Sequence, residues 1–124
     1  EVSPAFARHA FTQKISPFLM FDYAAPKNFA PARHRRGVGQ HPHRGMETVT
    51  LAYQGEVEHG DSQGHRDVIY PGDVQWMTAG RGIIHSEMPE QEHGRLAGFQ
   101  LWVNLFSIHR FLQDLPFHKV LSDL

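Results

Sequence analysis

Residues 46–88 read METVTLAYQGEVEHGDSQGHRDVIYPGDVQWMTAGRGIIHSEM, and their period decides the fold. Met46, Thr48, Thr50 and Ala52 alternate with Glu47, Val49, Leu51 and Tyr53, and β-branched and aromatic types are frequent, so a strand is expected. Gln54-Gly55 interrupts it, and Glu56-Val57-Glu58-His59 can begin a second strand. Gly60-Asp61-Ser62-Gln63-Gly64 carries the residues of a hairpin loop, with Arg66 to Tyr70 as the returning strand. Pro71-Gly72-Asp73 is turn chemistry. Strands over Val74–Thr78 and Ile83–Met88 follow, separated by Ala79-Gly80-Arg81-Gly82. Short strands with turn signals about every ten residues predict an all-β chain, a small antiparallel barrel or sandwich in one domain.

Working outward, Pro17-Phe18-Leu19-Met20-Phe21-Asp22-Tyr23 reads as a buried strand, set among Pro4, Pro17, Pro26 and Pro31, which divide the first 36 residues into short pieces. Arg33-His34-Arg35-Arg36 reads as a solvated loop. Downstream, Leu96 to Leu105 is the last clear strand. Phe106 to Leu124 is expected to be irregular or weakly helical, because Pro116 interrupts the helical spacing of Phe111-Leu112, Leu115 and Val120-Leu121.

Composition narrows the function. The chain has 124 residues, 40% hydrophobic and 20% charged, a globular composition. Twelve Lys+Arg against thirteen Asp+Glu leave a net charge of −1, so no direct nucleic-acid or anionic-membrane partner is expected. Cysteine is absent, which excludes disulfides, thiol catalysis, Cys-ligated zinc and iron–sulfur clusters. Neither a membrane-length apolar run nor a charged-then-apolar leader is found, so the expected location is cytoplasmic, or nuclear in a eukaryote. With ten histidines present, any metal chemistry rests on imidazole and carboxylate.

Two constellations carry that chemistry. In an extended segment, His41 and His43 of His41-Pro42-His43 point the same way, about 6–7 Å apart at Cα, so both imidazoles can turn toward one ion. His85-Ser86-Glu87 repeats the spacing on another predicted strand. A small barrel that joins them makes a three-histidine, one-carboxylate site. Glu47 shares parity with His41 and His43 if the strand is regular through Gly45, so Glu47 or Glu87 can supply the carboxylate, and spacing alone does not choose. The other is a candidate proton acceptor. Such a ligand set suits one divalent transition metal, Fe(II), Mn, Ni, Cu, Zn or Co. Four protein ligands on a six-coordinate ion leave two open positions, as a catalytic site requires. Trp76, Met77, Met88, Phe99 and Trp102 read chiefly as core. His9, His34, His59, His65, His93, His109 and His118 lack paired spacing on a convincing strand and are read as surface or hydrogen-bonded residues.

Ser16–Asp22 (SPFLMFD), Gly39–Thr50 (GQHPHRGMETVT), Gly55–Ser62 (GEVEHGDS), Pro71–Pro89 (PGDVQWMTAGRGIIHSEMP) and Gly98–Leu105 (GFQLWVNL) together resemble the pirins of the cupin superfamily. The resemblance implies a jelly-roll-type cupin barrel. It implies metal ligands at His41, His43, His85 and Glu87, with iron as the usual metal, and so favours Glu87 over Glu47 as the ligand. Glu87, or else Glu47, would accept a proton. Several pirins are assigned quercetin 2,3-dioxygenase activity, which opens a flavonol with O2 and releases carbon monoxide, so a flavonol-like molecule and O2 are expected partners. Others are regulators, which implies a regulatory protein partner instead. Pirins usually carry two cupin domains. Residues 1–105 are therefore expected to form the first, 106–124 a divergent tail, and the second domain to be absent. Surfaces that it would cover favour a homodimer.

Overall fold

The computed structural model describes residues 2–7, 9–30, 33, 36–89, 94–105 and 115–120. Their elements are β1 (Val2–Phe6), α1 (His9–Thr12), β2 (Phe18–Phe29), β3 (Val38–His43), β4 (Met46–Gln54), β5 (Val57–Asp61), β6 (Arg66–Ile69), β7 (Val74–Ala79), β8 (Ile83–Pro89), β9 (Gly94–Asn104) and β10 (Leu115–Val120). They form a six-stranded sheet in the order β1-β2-β9-β4-β7-β10 and a four-stranded sheet in the order β3-β8-β5-β6. Every pairing is antiparallel. The all-β, antiparallel expectation is met. Among the described residues, no helix is long and apolar enough to cross a membrane.

β4 shows how the alternating sequence becomes a layer. It is hydrogen-bonded on both sides, to β7 and β9, with Thr48 opposite Met77 and Trp102. Met46, Thr48 and Ala52 are buried, whereas Tyr53 is exposed. On β7, Gln75, Met77 and Ala79 are buried and Trp76 faces out. Cross-strand neighbours share a face, so these residues line one side of the large sheet. Hydrogen bonds from Thr50 and Gln100 to Glu87, and between Gln75 and His59, join that side to the small sheet. The two sheets therefore face each other across a common interior.

That interior is divided. Met77, Ala79 and Ile83 form a dry cluster. His43, Thr48, His59, Gln75 and His85 are also buried, so polar side chains occupy the rest of the space between the sheets. Buried polar groups are costly unless partnered, and a polar interior of this kind marks a site more often than a core.

Two local expectations change. β2 begins where a strand is expected but runs on to Phe29, and it is not fully buried: Phe18 and Tyr23 are exposed. It lies between the edge strand β1 and β9 in the large sheet. β1 itself carries no clear alternating pattern in sequence and forms by pairing with β2. Residues 115–120 are a strand, not irregular or weakly helical chain. β10 extends the large sheet by pairing with β7, so the sheet does not end at residue 105. Pro116 is compatible with an edge position, where one row of backbone groups needs no ladder partner. The remainder of the expected tail, 106–114 and 121–124, lies outside the described residues.

Candidate metal centre

β3 and β8 are neighbours in the small sheet, and their register places His41 opposite His85 and His43 opposite Ile83. His41 and His43, two residues apart on one strand, and His85 on the next thus lie on the same inner face. The ring centroids of His41 and His85 are 4.4 Å apart, and both stand 4.8 Å from that of His43. One nitrogen from each of the three rings lies within 4.8 Å of the others. The closest pair, Nε2 of His41 and Nε2 of His85, is separated by 3.0 Å. Two nitrogens each about 2.1 Å from a shared ion, at roughly a right angle, would have a separation of about 3 Å.

The protonation states suit this arrangement. Burial, with His41 adding repulsion, lowers the His43 pKa to about 4. Burial and the neighbouring imidazoles of His59, His41 and His43 lower that of His85 to about 3. Both rings are therefore neutral near pH 7, with a lone pair available for an ion. His41 Nδ1 lies 2.8 Å from the Gly39 carbonyl oxygen, to which it donates, leaving Nε2 as the atom directed inward. Nε2 of His43 is buried with no hydrogen-bond partner among the described residues. A buried nitrogen lone pair without a donor, beside two other inward-facing imidazoles, fits a metal ligand and is costly in any other role. The residues present thus fit a divalent transition ion.

Glu87 lies two residues after His85 on β8, on the same inner face, opposite His59 of β5. With His85 and His59 it forms a second group whose ligand atoms lie within 4.8 Å, overlapping the first at His85. Gln100 Nε2 donates to both Glu87 carboxylate oxygens, at 2.8 Å each, and Thr50 Oγ1 donates to Oε1 at 3.0 Å. Gln100 is itself held by Trp102, whose Nε1 donates to Gln100 Oε1 at 2.9 Å, and the Trp102 ring stands edge-on to His43 at 5.0 Å. Burial raises the Glu87 pKa, and the donors Gln100 and Thr50, with His41 nearby, oppose the rise.

Glu47 does not join this group. Gly45, with φ of 68°, sits in the connection between β3 and β4, and the alternation that links His43 to Glu47 in sequence is broken there. β3 and β4 belong to different sheets. Thr50 of β4 reaches Glu87, so Glu47, at odd spacing from it, lies on the opposite face, where Thr78 Oγ1 donates to its carboxylate at 2.7 Å. Of the side chains read chiefly as core, Met77 is buried, Trp76 is exposed and Trp102 stands against His43.

Two residues join the interior that sequence spacing did not single out as site residues. His59 is buried against His85, with ring centroids 5.0 Å apart. Its only sequence signal is an i, i+2 relation to Asp61, which acquires meaning once β5 is known to lie beside β8. Asp22 of β2 is opposite Gln100 on β9 and shares its face; burial raises its pKa, and its Oδ1 has no hydrogen-bond partner among the described residues. His65, by contrast, lies in the turn after β5, where its Nδ1 is 3.2 Å from each carboxylate oxygen of Asp61. The side chains of His9, His34, His93, His109 and His118 lie outside the described residues.

The chain is similar to several known proteins. The pirin family model matches residues 1–103. A Pseudomonas aeruginosa protein with the provisional name quercetin 2,3-dioxygenase is 57% identical over 108 residues, covering 84% of this chain and 38% of that protein. Pirin-like protein 2 of Arabidopsis thaliana is 52% identical over 108 residues, covering 87% of this chain and 30% of its own length. The crystal structure of a quercetin 2,3-dioxygenase from Acinetobacter baumannii matches with a TM-score of 0.89 and 47% identity, over 96% of this chain and 42% of that one. The chain spans less than half the length of each of these relatives.

Proposed function

Because the chain belongs to the pirin family, we propose that it binds one divalent transition metal and works as a flavonol-cleaving oxygenase of the quercetin 2,3-dioxygenase type. The observation that carries this is the inward-facing cluster of His41, His43 and His85, with His43 Nε2 unpartnered among the described residues, next to a carboxylate oriented by Gln100 and Thr50. His41, His43, His85 and Glu87 would hold the ion. Fe(II), the usual metal implied by the resemblance to pirins, is the first candidate; the same donors also suit Mn, Ni, Cu, Zn and Co. When bound, the metal would supply Lewis-acid stabilisation of a deprotonated substrate hydroxyl and a path for electrons toward O2.

The chain's own residues do the rest. Glu87 is the proton acceptor for the substrate hydroxyl: burial makes its carboxylate more basic than usual, and a raised pKa brings a carboxylate closer to the range useful for proton transfer near neutral pH. Gln100 and Thr50 keep that carboxylate aimed into the interior, so no reorientation is needed as the proton moves. Trp102, edge-on to His43, gives this part of the interior an apolar side. The cleavage would add O2 across the flavonol's oxygen-bearing ring and release carbon monoxide.

The test is loss of the flavonol absorbance band under air, with matched O2 consumption, by protein loaded anaerobically with Fe(II). Turnover by wild type and none by folded His85→Ala is expected. A fully metallated chain without turnover would refute the enzyme reading. It would favour a second one, a metal-dependent binding protein that regulates a protein partner, which the pirin-like relatives' names leave open.

A further inference from the structure

His85 uses its two ring nitrogens in opposite directions. Nε2 faces His41 Nε2 at 3.0 Å, on the side where the three imidazoles converge. Nδ1 faces His59 Nδ1 at 3.4 Å, on the side of β5. His59 is in turn confined from behind. Gln75, reaching across from the large sheet, places its Nε2 3.0 Å from the same His59 Nδ1. Asp61 Oδ2 lies 3.8 Å from His59 Nε2, and the Asp61 carboxylate is itself anchored by the backbone N–H groups of Gln63 and His65. Both His59 and His85 are 1% exposed, so solvent does not set the orientation of either ring.

We propose that His59 is the positioning residue for His85: it receives the Nδ1 side of the His85 ring and thereby aims His85 Nε2 at the point shared with His41 and His43. The chemistry requires such a group. A neutral imidazole that ligates through Nε2 carries its proton on Nδ1, and that buried N–H needs an acceptor. Among the described residues, His59 Nδ1 is the atom placed to accept it. The pairing of β5 with β8 supplies the geometry, because the register sets His59 opposite Glu87 and Asp61 opposite His85. His59 is thus an outer partner of the ligand set, its single Nδ1 lone pair shared between the His85 N–H and the Gln75 amide, with Asp61 Oδ2 3.8 Å beyond its Nε2. Groups in that position commonly change metal affinity by about 10- to 100-fold when removed.

The inference rests on the metal-binding reading above, and one titration separates the two. Co(II) is titrated into the full chain, with the dissociation constant taken from chelator competition and the ligand field from the d–d absorption bands. His59→Asn places an amide oxygen near the position of the ring Nδ1, whereas His59→Gln places it about one bond too far and His59→Leu provides no acceptor. The expected result is Co(II) binding by His59→Asn within about threefold of wild type, and binding weakened about 10- to 100-fold, with shifted d–d bands, in His59→Leu and His59→Gln. Should His59→Leu fail to fold, the Asn and Gln variants carry the comparison, with thermal melts confirming that both are folded. Equal affinities and spectra in all variants would overturn the inference while leaving the metal site intact. Equal losses in folded Asn and Leu variants would also overturn it, because His59 would then be a ligand itself. Absence of Co(II) uptake by wild type would refute the metal reading, and the inference with it.

Discussion

Replacing Gln100 with leucine keeps a side chain of similar size on β9 while removing the amide that links both sheets. The amide donates to both oxygens of Glu87 and to Thr50, and accepts from Trp102. A hydrogen bond to a charged group contributes about 1.5–3 kcal/mol and a neutral one about 1 kcal/mol. Glu87 is only partly buried, so water can replace some of what its carboxylate loses, and leucine recovers some apolar burial. The net destabilisation should be about 2.5 kcal/mol. With an unfolding entropy of about 2.1 cal/mol/K per residue, that lowers Tm by about 10 °C. Differential scanning calorimetry on metal-free wild type and Gln100→Leu at pH 7 is the assay. Thr50→Val, which removes one of the donors to Glu87, should show a smaller drop of about 4 °C. A change below about 2 °C in Gln100→Leu would refute the argument, because Glu87 would then owe neither its place nor its stability to the amide.

Metal content measured by plasma mass spectrometry should be close to one equivalent per chain for wild type and near zero for folded His85→Ala; retention of metal by the variant would remove His85 from the ligand set. Metal-free protein should lose stability in mild acid. His43 and His85, with pKa values lowered to about 4 and about 3, stay unprotonated in the folded chain while the unfolded chain takes up protons below pH 6.5, so stability falls as pH drops from about 6.5 toward 4. Glu87, with a raised pKa, works in the opposite direction. The net loss between pH 7 and pH 5 should be about 3 kcal/mol by urea titration, and a flat profile would contradict neutral buried imidazoles. Gly98→Ala should destabilise by about 2–3 kcal/mol, since a Cβ there would strike the Leu51 carbonyl of β4 and force β4 and β9 apart; an unchanged denaturation midpoint would show that the sheet yields freely at that point.

Local pattern was enough for much of this molecule. The period of two over Met46–Tyr53, and the turn residues at Gly55, Pro71-Gly72-Asp73 and Gly80-Arg81-Gly82, mark β4 to β8 because alternation and turn chemistry are properties of neighbouring residues. The same locality makes His41 with His43, and His85 with Glu87, same-face pairs before any fold is known. What required the tertiary structure is every relation between strands. The direction of Glu47 depended on Gly45 and on the departure of β4 into the other sheet, and parity does not extend across such a break. β10 forms against β7, an interaction that no local period records. His59 gains its place beside His85 only because β5 pairs with β8, and Gln100 reaches Glu87 only because the two sheets face each other. Sequence alone thus determined the strands from β4 to β8 and the residue types able to ligate an ion. The fold decided which of them converge, because convergence depends on register and sheet order, which long-range pairing sets.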